Sequence, residues 1–291
     1  ELTGIGDAYL VQLHCHPPGR LGNLTGGKLS LIDFAMPTVV ITGASSGIGY
    51  GTALTFAEHG YNLCVTGRNE EALQRLQGEC VEKGLGKEQV HYVLGDITSK
   101  ETAQEVVKQT IEKFGGINIL VNNAGITVRG QLHNSPLEDF DHITDVNVRS
   151  VIQLTQLTLP HIIASKGTIV NVSSIAGLHA YPGIGYYCMT KAAVDAYTKC
   201  LALELAPLGV RVNSVNPSVV LTNIHKGTKT PEEFAAFLEN SKRTHALGRP
   251  GEVHEIAKAI YFLAGPDSTW TTGIHLKIDG GRGIMPPRWN G

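Results

Sequence analysis

The chain has 291 residues, of which 42% are hydrophobic and 17% charged, so a single α/β domain of this length can bury a sizeable core. Its 24 basic and 26 acidic residues nearly cancel, and the net charge of -2 excludes the basic surface that nucleic acid or an anionic membrane would require. This balance favours a small molecule of modest charge as the partner.

Cysteine usage and hydropathy argue against a disulfide-stabilised, zinc-binding or membrane-spanning protein. The five cysteines include no Cys-x-x-Cys pair, which favours reduced thiols in a cytoplasmic protein over a disulfide framework or a zinc site. No apolar run approaches the roughly 20 residues that a membrane-spanning helix needs. His14, Cys15 and His16 are adjacent, and three adjacent side chains rarely converge on one ion, so no metal site is expected.

Residues 1–36 show no sustained periodicity and are interpreted as a flexible N-terminal appendage to one domain over residues 37–291. From residue 38 onward, short β-branched segments alternate with helix-length stretches, which predicts a single doubly wound Rossmann-type α/β domain with helices on both faces of a parallel sheet. Helices are expected to begin after Ser135 and Thr230, each followed by Pro at N1 and Glu at N3. The predicted strands are 38–41, 62–65, 89–93, 119–121, 168–172, 211–215 and 274–278.

The first chemical pattern lies directly after the first predicted strand. It reads Thr42-Gly43-Ala44-Ser45-Ser46-Gly47-Ile48-Gly49 and opens a predicted helix. Glycines permit a tight turn there, and the free amides of a helix N-terminus attract a phosphate group. Close packing of a strand against a helix also requires small residues, so this turn by itself leaves both interpretations open.

The second pattern is Tyr187-Cys188-Met189-Thr190-Lys191, whose Tyr and Lys are four residues apart and project from one helix face. A nearby ammonium lowers the pKa of a phenol from its ordinary value of about 10, which would suit Tyr187 to act as a general acid or base. A surface pair is the alternative for an isolated Tyr-x-x-x-Lys. Ser174 argues against it, because Ser174 follows the strand predicted at 168–172, where α/β folds expose catalytic groups.

These patterns, together with Asn122-Asn123-Ala124-Gly125, occur in the order and spacing of the short-chain dehydrogenases/reductases. The sequence resembles that family from about residue 37 to about residue 282, and most of all its 3-oxoacyl-[acyl-carrier-protein] reductase-like branch. The resemblance implies a seven-stranded parallel sheet, a nicotinamide cofactor, and a homotetramer assembled through the helices predicted around 136–163 and 184–206. It also identifies Asn147 as a fourth catalytic residue.

The resemblance implies that Tyr187 passes a proton to or from the substrate oxygen, while Ser174 hydrogen-bonds that oxygen. Lys191 would lower the pKa of Tyr187 and bind the nicotinamide ribose, and Asn147 would support a proton path behind Lys191. Tyr186 is an adjacent rival, but its spacing to Ser174 and Lys191 does not fit. The implied cofactor contacts are Gly43, Ser45, Ser46, Gly47, Ile48, Gly49, Arg68, Asn69, Asp96, Ile97, Asn123, Ala124, Gly125, Tyr187, Lys191, Pro217, Val220 and Thr222.

The end of the second predicted strand bears on the choice of cofactor. An NAD-preferring protein usually places an acid there, against the ribose 2′-hydroxyl, and this chain has Gly67 followed by Arg68. A guanidinium can pair with the 2′-phosphate of NADP(H), although a solvated loop charge is the alternative for Arg68. The sequence therefore predicts an NADP(H)-dependent oxidoreductase that interconverts a carbonyl compound and a secondary alcohol.

Two features limit the transfer of family properties. The family usually has Gly after the Pro of Pro217-Ser218, so a Cβ at Ser218 could shift the loop that contains Val220 and Thr222. Residues 221–248 are expected to cover a partly apolar substrate, with Phe234, Phe237 and Leu238 as candidates, although this helix could simply pack on the core. The other functions considered are an NAD-dependent alcohol or hydroxysteroid dehydrogenase, a nucleotide-sugar epimerase or dehydratase, and a catalytically silent nucleotide-binding scaffold.

Overall fold

The computed structural model describes residues 36–222, 224 and 230–285. Seven strands form one parallel sheet in the order β3-β2-β1-β4-β5-β6-β7, which confirms the predicted fold class. Apart from Met36, the appendage predicted for residues 1–36 and its His14-Cys15-His16 cluster lie outside the described residues. The strands are β1 (Thr38–Thr42), β2 (Asn62–Gly67), β3 (Val90–Leu94), β4 (Ile119–Asn122), β5 (Thr168–Val172), β6 (Arg211–Pro217) and β7 (His275–Ile278).

Helices cover both faces of this sheet. In the described ranges they are α1 (Gly47–Glu58), α2 (Glu70–Glu82), α3 (Lys100–Phe114), α4 (Leu137–Thr144), α5 (Ser150–Ala164), α6 (Gly185–Leu205), α7 (Pro231–Thr244) and α8 (Val253–Ala264). A short π-helical segment, Asp145–Arg149, joins α4 to α5. None of the described helices is long and apolar enough to cross a membrane. Within the same residues, no group of His, Cys, Asp or Glu is arranged to hold a metal ion.

Two apolar layers form because successive strand residues point to opposite faces of the sheet. Val39 and Ile41 of β1 are buried against α1, α2 and α8, where Phe56 and Leu73 are fully buried. Val40, between them in sequence, is buried on the opposite face with Leu154 of α5 and residues of α3 and α6. Burial on both faces explains why residues 39–41 of β1 and residues 119–121 of β4 are continuous apolar segments instead of alternating polar and apolar residues.

The order of the strands determines where the site lies. β1 pairs with β2 on one side and with β4 on the other, so the connections that leave β1 and β4 diverge to opposite sides of the sheet. A crevice opens at such a point, beyond the carboxyl ends of the strands. The glycine-rich turn follows β1, Asn123 follows β4 and Ser174 lies two residues beyond β5, which brings the sequence-predicted patterns to one edge.

The two predicted helix starts have different outcomes. Thr230 caps α7 as expected, with its hydroxyl accepting from the amide of Glu233 and the Glu233 carboxylate accepting from the amide of Thr230. The prediction for Ser135 is wrong, because Pro136 occupies the N-cap position of α4 without a side-chain cap. The Ser135 hydroxyl instead donates to the carbonyl of Gln131, 2.9 Å away, and closes the preceding turn.

Arg211, at the start of β6, stabilises the end of α8. Its guanidinium donates to carbonyls at the end of α8 and in the following turn, at distances of 2.8 Å to Leu263 and 3.1 Å to Gly265. It also reaches the hydroxyl of Ser268 at 3.0 Å. A cation at a helix C-terminus satisfies these acceptors and is favoured by the helix dipole.

We expect Arg211→Leu to lower the free energy of unfolding by about 2–3 kcal/mol, because several half-buried carbonyls lose a charged donor. Denaturant titration followed by circular dichroism measures this change. Arg75→Leu is the matched control, since Arg75 is 64% exposed, lies 3.9 Å from Glu79 and packs over the ring of Tyr50 without donating to helix-end carbonyls. Equal effects of the two substitutions would show that Arg211 contributes no more than an ordinary surface arginine.

Candidate active site

The glycine-rich turn after β1 has the backbone that its sequence predicts. Gly43 and Gly47 adopt φ values of +66° and +60°, in the left-handed region where a side chain is strained. A Cβ at Gly43 would lie 2.9 Å from Ala124 Cα, so the turn packs directly on the segment after β4. Ser46, the N-cap of α1, makes no side-chain cap, and the first amides of α1 therefore have no protein side-chain partner there.

Thr42 and Asn123 hold this turn against the end of β4. The Thr42 hydroxyl accepts from the amides of Asn123 and Ala124, each at 2.9 Å. The Asn123 side chain donates to the carbonyl of Thr42 at 2.8 Å and to that of Gly43 at 3.2 Å. The amide nitrogen of the Asn123 side chain is thus engaged within the protein, and the residue as a whole lines the cavity described below.

Helix α6 supplies Tyr187 and Lys191 from the same face. Lys191 is only 5% exposed, and its Nζ donates to the carbonyl of Val172 at the end of β5, 2.8 Å away. Nζ lies 5.7 Å from the centroid of the Tyr187 ring. A Cβ at Gly125 would lie 3.3 Å from Asn147 Oδ1 and 3.6 Å from Lys191 Nζ, so these polar atoms converge behind Gly125.

Burial dominates the titration behaviour of this pair. It raises the pKa of Tyr187 to about 12, an effect opposed by a hydrogen bond with Ser174. This direction is opposite to the lowering expected from the sequence, because desolvation of the phenolate outweighs the hydrogen bond with Ser174. Burial likewise lowers the pKa of Lys191 to about 8, although the carboxylate of Asp195 one turn later opposes that shift.

Ser174 is fixed by contacts on both sides. Its hydroxyl donates to the carbonyl of Pro217 at 3.2 Å and accepts from the amide of Ala176 at 3.1 Å. Its own carbonyl accepts from Asn216 Nδ2 at 2.9 Å, and the same amide group donates to both oxygens of the buried Asp195, at 3.1 and 3.0 Å. The sequence patterns did not indicate Asp195, although its position four residues after Lys191 places both on one face of α6.

Asn147 lies in the π-helical segment and is 1% exposed. Its Oδ1 accepts from the amide of Ile126 at 2.9 Å, and its Nδ2 donates to the carbonyl of the same residue at 3.0 Å. Nδ2 also donates to the hydroxyl of Thr190, 3.1 Å away. Asn147 therefore joins α6 to the segment after β4 from behind the cavity, and a π-helical irregularity in this position is typical of functional sites.

A cavity of about 600 Å³ runs along the carboxyl ends of the strands. Three predicted site residues are not part of its wall, namely Gly49, Asn69 and Asn147. A Cβ at Gly49 would collide with Asn123 Nδ2, and the Asn69 side chain caps α2 by accepting from the amide of Ala72 at 2.9 Å. The predicted residues that line the cavity are Gly43, Ser45, Ser46, Gly47, Ile48, Arg68, Asp96, Ile97, Asn123, Ala124, Gly125, Ser174, Tyr187, Lys191, Pro217, Val220 and Thr222.

The tertiary structure adds wall residues that no local pattern indicated. Arg129, Tyr181 and Arg282 come from three segments far apart in sequence. Ser218, next to the predicted Pro217, and Asn240, within the segment predicted to cover the substrate, also line the cavity. Of the three apolar candidates in residues 221–248, Phe237 lines the cavity whereas Phe234 and Leu238 do not. No sequence spacing connects Arg129, Tyr181 and Arg282. The only feature of the sequence that could have indicated them is their location in loops beyond the strand ends.

Ser218 replaces the expected glycine without backbone strain, since Lys166 is the one non-glycine residue with positive φ among the described residues. Its side chain has a defined partner. His245 Nδ1 donates to the carbonyl of Ser241 at 2.6 Å, which leaves Nε2 to accept from the Ser218 hydroxyl at 2.9 Å. The Ser218–His245 pair thus anchors the end of α7 to the end of β6 at the cavity wall.

Comparison with known proteins agrees with this geometry. Residues 43–282 match the family described as enoyl-(acyl carrier protein) reductase. The chain is 39% identical, over 83% of its length and 96% of the relative's, to the 3-oxoacyl-[acyl-carrier-protein] reductase FabG of Thermotoga maritima.

Solved structures extend the similarity to the fold. A short-chain dehydrogenase/reductase of unknown function from Caenorhabditis elegans, crystallised with cofactor, superimposes with a TM-score of 0.81 at 35% identity, covering 86% of this chain and 96% of that one. ElxO with NADP bound superimposes with a TM-score of 0.78 at 33% identity, covering 86% of this chain and all of its own.

Fold and site together define a doubly wound oxidoreductase that binds a nicotinamide cofactor and acts on a carbonyl or alcohol group. The chain belongs to the short-chain dehydrogenase/reductase family.

Two buried histidines make the stability of this fold depend on pH. Burial lowers the pKa of His245 and of His275, the latter against the opposing charge of Asp195, below the ordinary value of about 6.5. The unfolded chain therefore binds these protons at a higher pH than the folded chain does. The associated stability is present above about pH 6.5 and is lost as the pH falls below it.

We expect the free energy of unfolding to fall as the pH is lowered from about 7 to about 5.5, and His245→Asn to reduce the slope of that decline. Denaturant titrations at several pH values measure both. His254→Asn is the control, because His254 is 58% exposed at the surface. An unchanged slope in His245→Asn would contradict the assignment.

Proposed function

We propose that this protein is an NADP(H)-dependent oxidoreductase that interconverts a carbonyl compound and a secondary alcohol, with Tyr187 as the general acid and base. The observation that carries the proposal is the convergence of Tyr187, Ser174 and the buried Lys191 on one cavity wall, beside the uncapped N-terminus of α1. A nucleotide-binding scaffold would have no use for this arrangement of acid, hydroxyl and ammonium.

The residues at the glycine-rich end of the cavity fit a dinucleotide. The amides at the start of α1 would hold the diphosphate, because they lack side-chain partners and lie at the positive end of the helix dipole. Gly67 makes a close approach to Ser45, and Arg68 reaches the same part of the cavity. Arg68 Nη1 lies 3.7 Å from Asp96 Oδ2, and its side chain is 69% exposed and free to meet a 2′-phosphate.

In the direction of reduction, Tyr187 is suited to hold the proton that the substrate oxygen receives. Its pKa of about 12 keeps the phenol protonated at neutral pH. Ser174 is close enough to hydrogen-bond Tyr187 and would bind the same substrate oxygen. The nicotinamide, when bound, supplies or accepts the hydride. Oxidation of an alcohol needs the phenolate, so that direction is favoured at higher pH.

Lys191 and Asn147 support Tyr187 in different ways. Lys191 stabilises a phenolate by charge and would reach a ribose hydroxyl of the cofactor. Asn147 is a positioning residue, because both ends of its carboxamide are engaged with Ile126 and Thr190. It keeps α6, which carries Tyr187 and Lys191, at a fixed separation from the segment after β4.

Assembly and location are part of the same proposal. A homotetramer through α4, α5 and α6 is supported by Leu137 of α4, which is 70% exposed, and by Met189 and Leu203 of α6, which are 49% and 79% exposed. These side chains would be buried in an isologous interface. The described cysteines, Cys64, Cys80, Cys188 and Cys200, are free thiols, which suits the cytoplasm. An NAD-dependent alcohol or hydroxysteroid dehydrogenase is the second candidate, and Arg68 argues against it.

We expect Tyr187→Phe to reduce turnover of NADPH with a panel of ketones and diketones by at least about 100-fold, because the proton donor is removed. Absorbance at about 340 nm follows the reaction, and cofactor titration should remain nearly unchanged. Tyr186→Phe is the matched control, since the Tyr186 hydroxyl donates to the carbonyl of Ser135 at 3.2 Å. Full activity in Tyr187→Phe would exclude Tyr187 as the acid.

We expect Arg68→Ala to weaken NADPH binding by about 10- to 100-fold and to leave NADH binding little changed, because only NADPH carries the 2′-phosphate. Fluorescence titration of both cofactors measures this, with Arg75→Ala as the control. Gly67→Asp is a less direct test, because a Cβ at Gly67 requires the Ser45 hydroxyl to move. Equal weakening of both cofactors, or equal affinities in the unaltered protein, would refute the NADP assignment.

A further inference from the structure

The cavity wall carries cations at two separate places. Arg68, Lys191, Arg129 and Arg282 line it, and Asp96 is the one carboxylate among the described lining residues. Asp96 lies beside Arg68, so its charge acts at the dinucleotide end. The part of the cavity that is lined by Arg129 and Arg282 thus has positive charge without a lining carboxylate in the described ranges.

Topology separates Arg282 from the phosphate expected at Arg68. Arg68 follows β2 and Arg282 lies beyond β7, five strand positions apart in the order of the sheet. Parallel strands are about 4.8 Å apart, which gives a separation of about 24 Å. Arg282 therefore cannot share the 2′-phosphate with Arg68, and it needs another explanation.

Arg282 is held at the substrate end by an aromatic ring. Its guanidinium carbon lies 5.0 Å from the centroid of Tyr181, which positions the charge on the segment that leads into α6. Asp279, three residues earlier in the chain, has both carboxylate oxygens engaged, since they accept from the amides of Gly281 at 3.0 Å and Gly283 at 2.9 Å. Arg282 belongs to none of the ion pairs of the described residues.

Arg129 joins the same region through the backbone. The amide of Gly130, the next residue, donates to the carbonyl of Gly183 at 3.1 Å, and Gly130 forms a parallel bridge with Ile184. The Tyr181–Ile184 segment is thus in contact with Arg282 through its ring and with the neighbour of Arg129 through its backbone. Tyr187 follows in the first turn of α6, so both arginines line the cavity from segments tied to the one that leads into the proposed acid.

We infer that the carbonyl substrate is an oxo acid whose carboxylate is bound by Arg282, with Arg129 as a second cation. The inference rests on the proposed function. A guanidinium presents two parallel N–H donors to a carboxylate. The two arginines would therefore bind an oxo acid, which is anionic, in preference to its uncharged ester. Ile184, Ile224 and Phe237 line the same cavity and suit a short aliphatic chain between carboxylate and carbonyl.

Matched substrate pairs test this inference. The 2-, 3- and 4-oxo acids of four or five carbons are compared with their methyl esters, each with NADPH, and kcat/KM is measured. For at least one acid we expect kcat/KM to exceed that of its ester by about tenfold or more. Arg282→Gln should lower kcat/KM for that acid by about 10- to 100-fold and alter the ester less than about twofold. Arg282→Lys should recover part of the loss, because it keeps the charge without the planar pair of donors.

Arg129→Gln should have a smaller effect in the same direction, since Arg129 is exposed. Arg75→Gln, on α2, is the control that should leave both substrates unaffected. Circular dichroism and thermal unfolding verify that each variant is folded. Equal use of acids and esters by the unaltered protein, or an equal loss for both in Arg282→Gln, would overturn the inference while leaving the proposed function intact.

If none of the carbonyl compounds is turned over, the proposed oxidoreductase function is not supported. Calorimetry then tests the carboxylate site separately from that function. The best-binding oxo acid is then titrated into the protein with NADP⁺ present. Binding that Arg282→Gln abolishes, with no binding of the ester, supports the carboxylate site. Binding that is the same in both proteins, or no binding of any acid, refutes it.

Discussion

Burial of the Lys191 ammonium is the constraint on which the rest of the site depends. A charged amine in a protein interior requires partners, and Lys191 has the carbonyl of Val172 at 2.8 Å and the carboxylate of Asp195 one turn along α6. To bring that amine to the end of β5, α6 must pack very closely on the preceding loop. At Gly177 a Cβ would lie 2.8 Å from the Lys191 backbone, and Ser173 Oγ donates to the carbonyl of Lys191 at 3.2 Å.

The position of Tyr187 follows from this packing. It lies one turn before Lys191 on the same face, so fixing the amine also fixes the phenol against Ser174. Asn216 connects the two sides, since it donates to the carbonyl of Ser174 and to the carboxylate of Asp195. Acid, hydroxyl and ammonium are consequently parts of one buried network, and replacing a member that only supports the others would disturb all three.

Amide side chains organise the carboxyl edge of the sheet because parallel strands leave polar backbone groups unpaired where they end. Asn122 donates to Asn171 on the neighbouring strand at 2.9 Å, and Asn171 donates to Thr198 of α6 at 2.9 Å. Asn123 and Asn147 secure the turns on either side of the cavity. Asn147 and Asn171 each accept and donate through the same carboxamide, which a charged or purely apolar side chain cannot do.

Local sequence determined the elements whose signals are local. The seven strands, the capping box at Thr230, the glycine turn after β1 and the Tyr187–Lys191 spacing follow from backbone preference, periodicity and helix geometry. The tertiary structure alone decided the sign of the Tyr187 pKa shift, because desolvation depends on everything packed around the ring. It also decided that Ser218 pairs with His245, 27 residues later, that Arg282 packs on Tyr181, and that Arg129 lines the same cavity. Such contacts join segments far apart in the chain, so they depend on how the whole domain packs and cannot be inferred from a local sequence pattern.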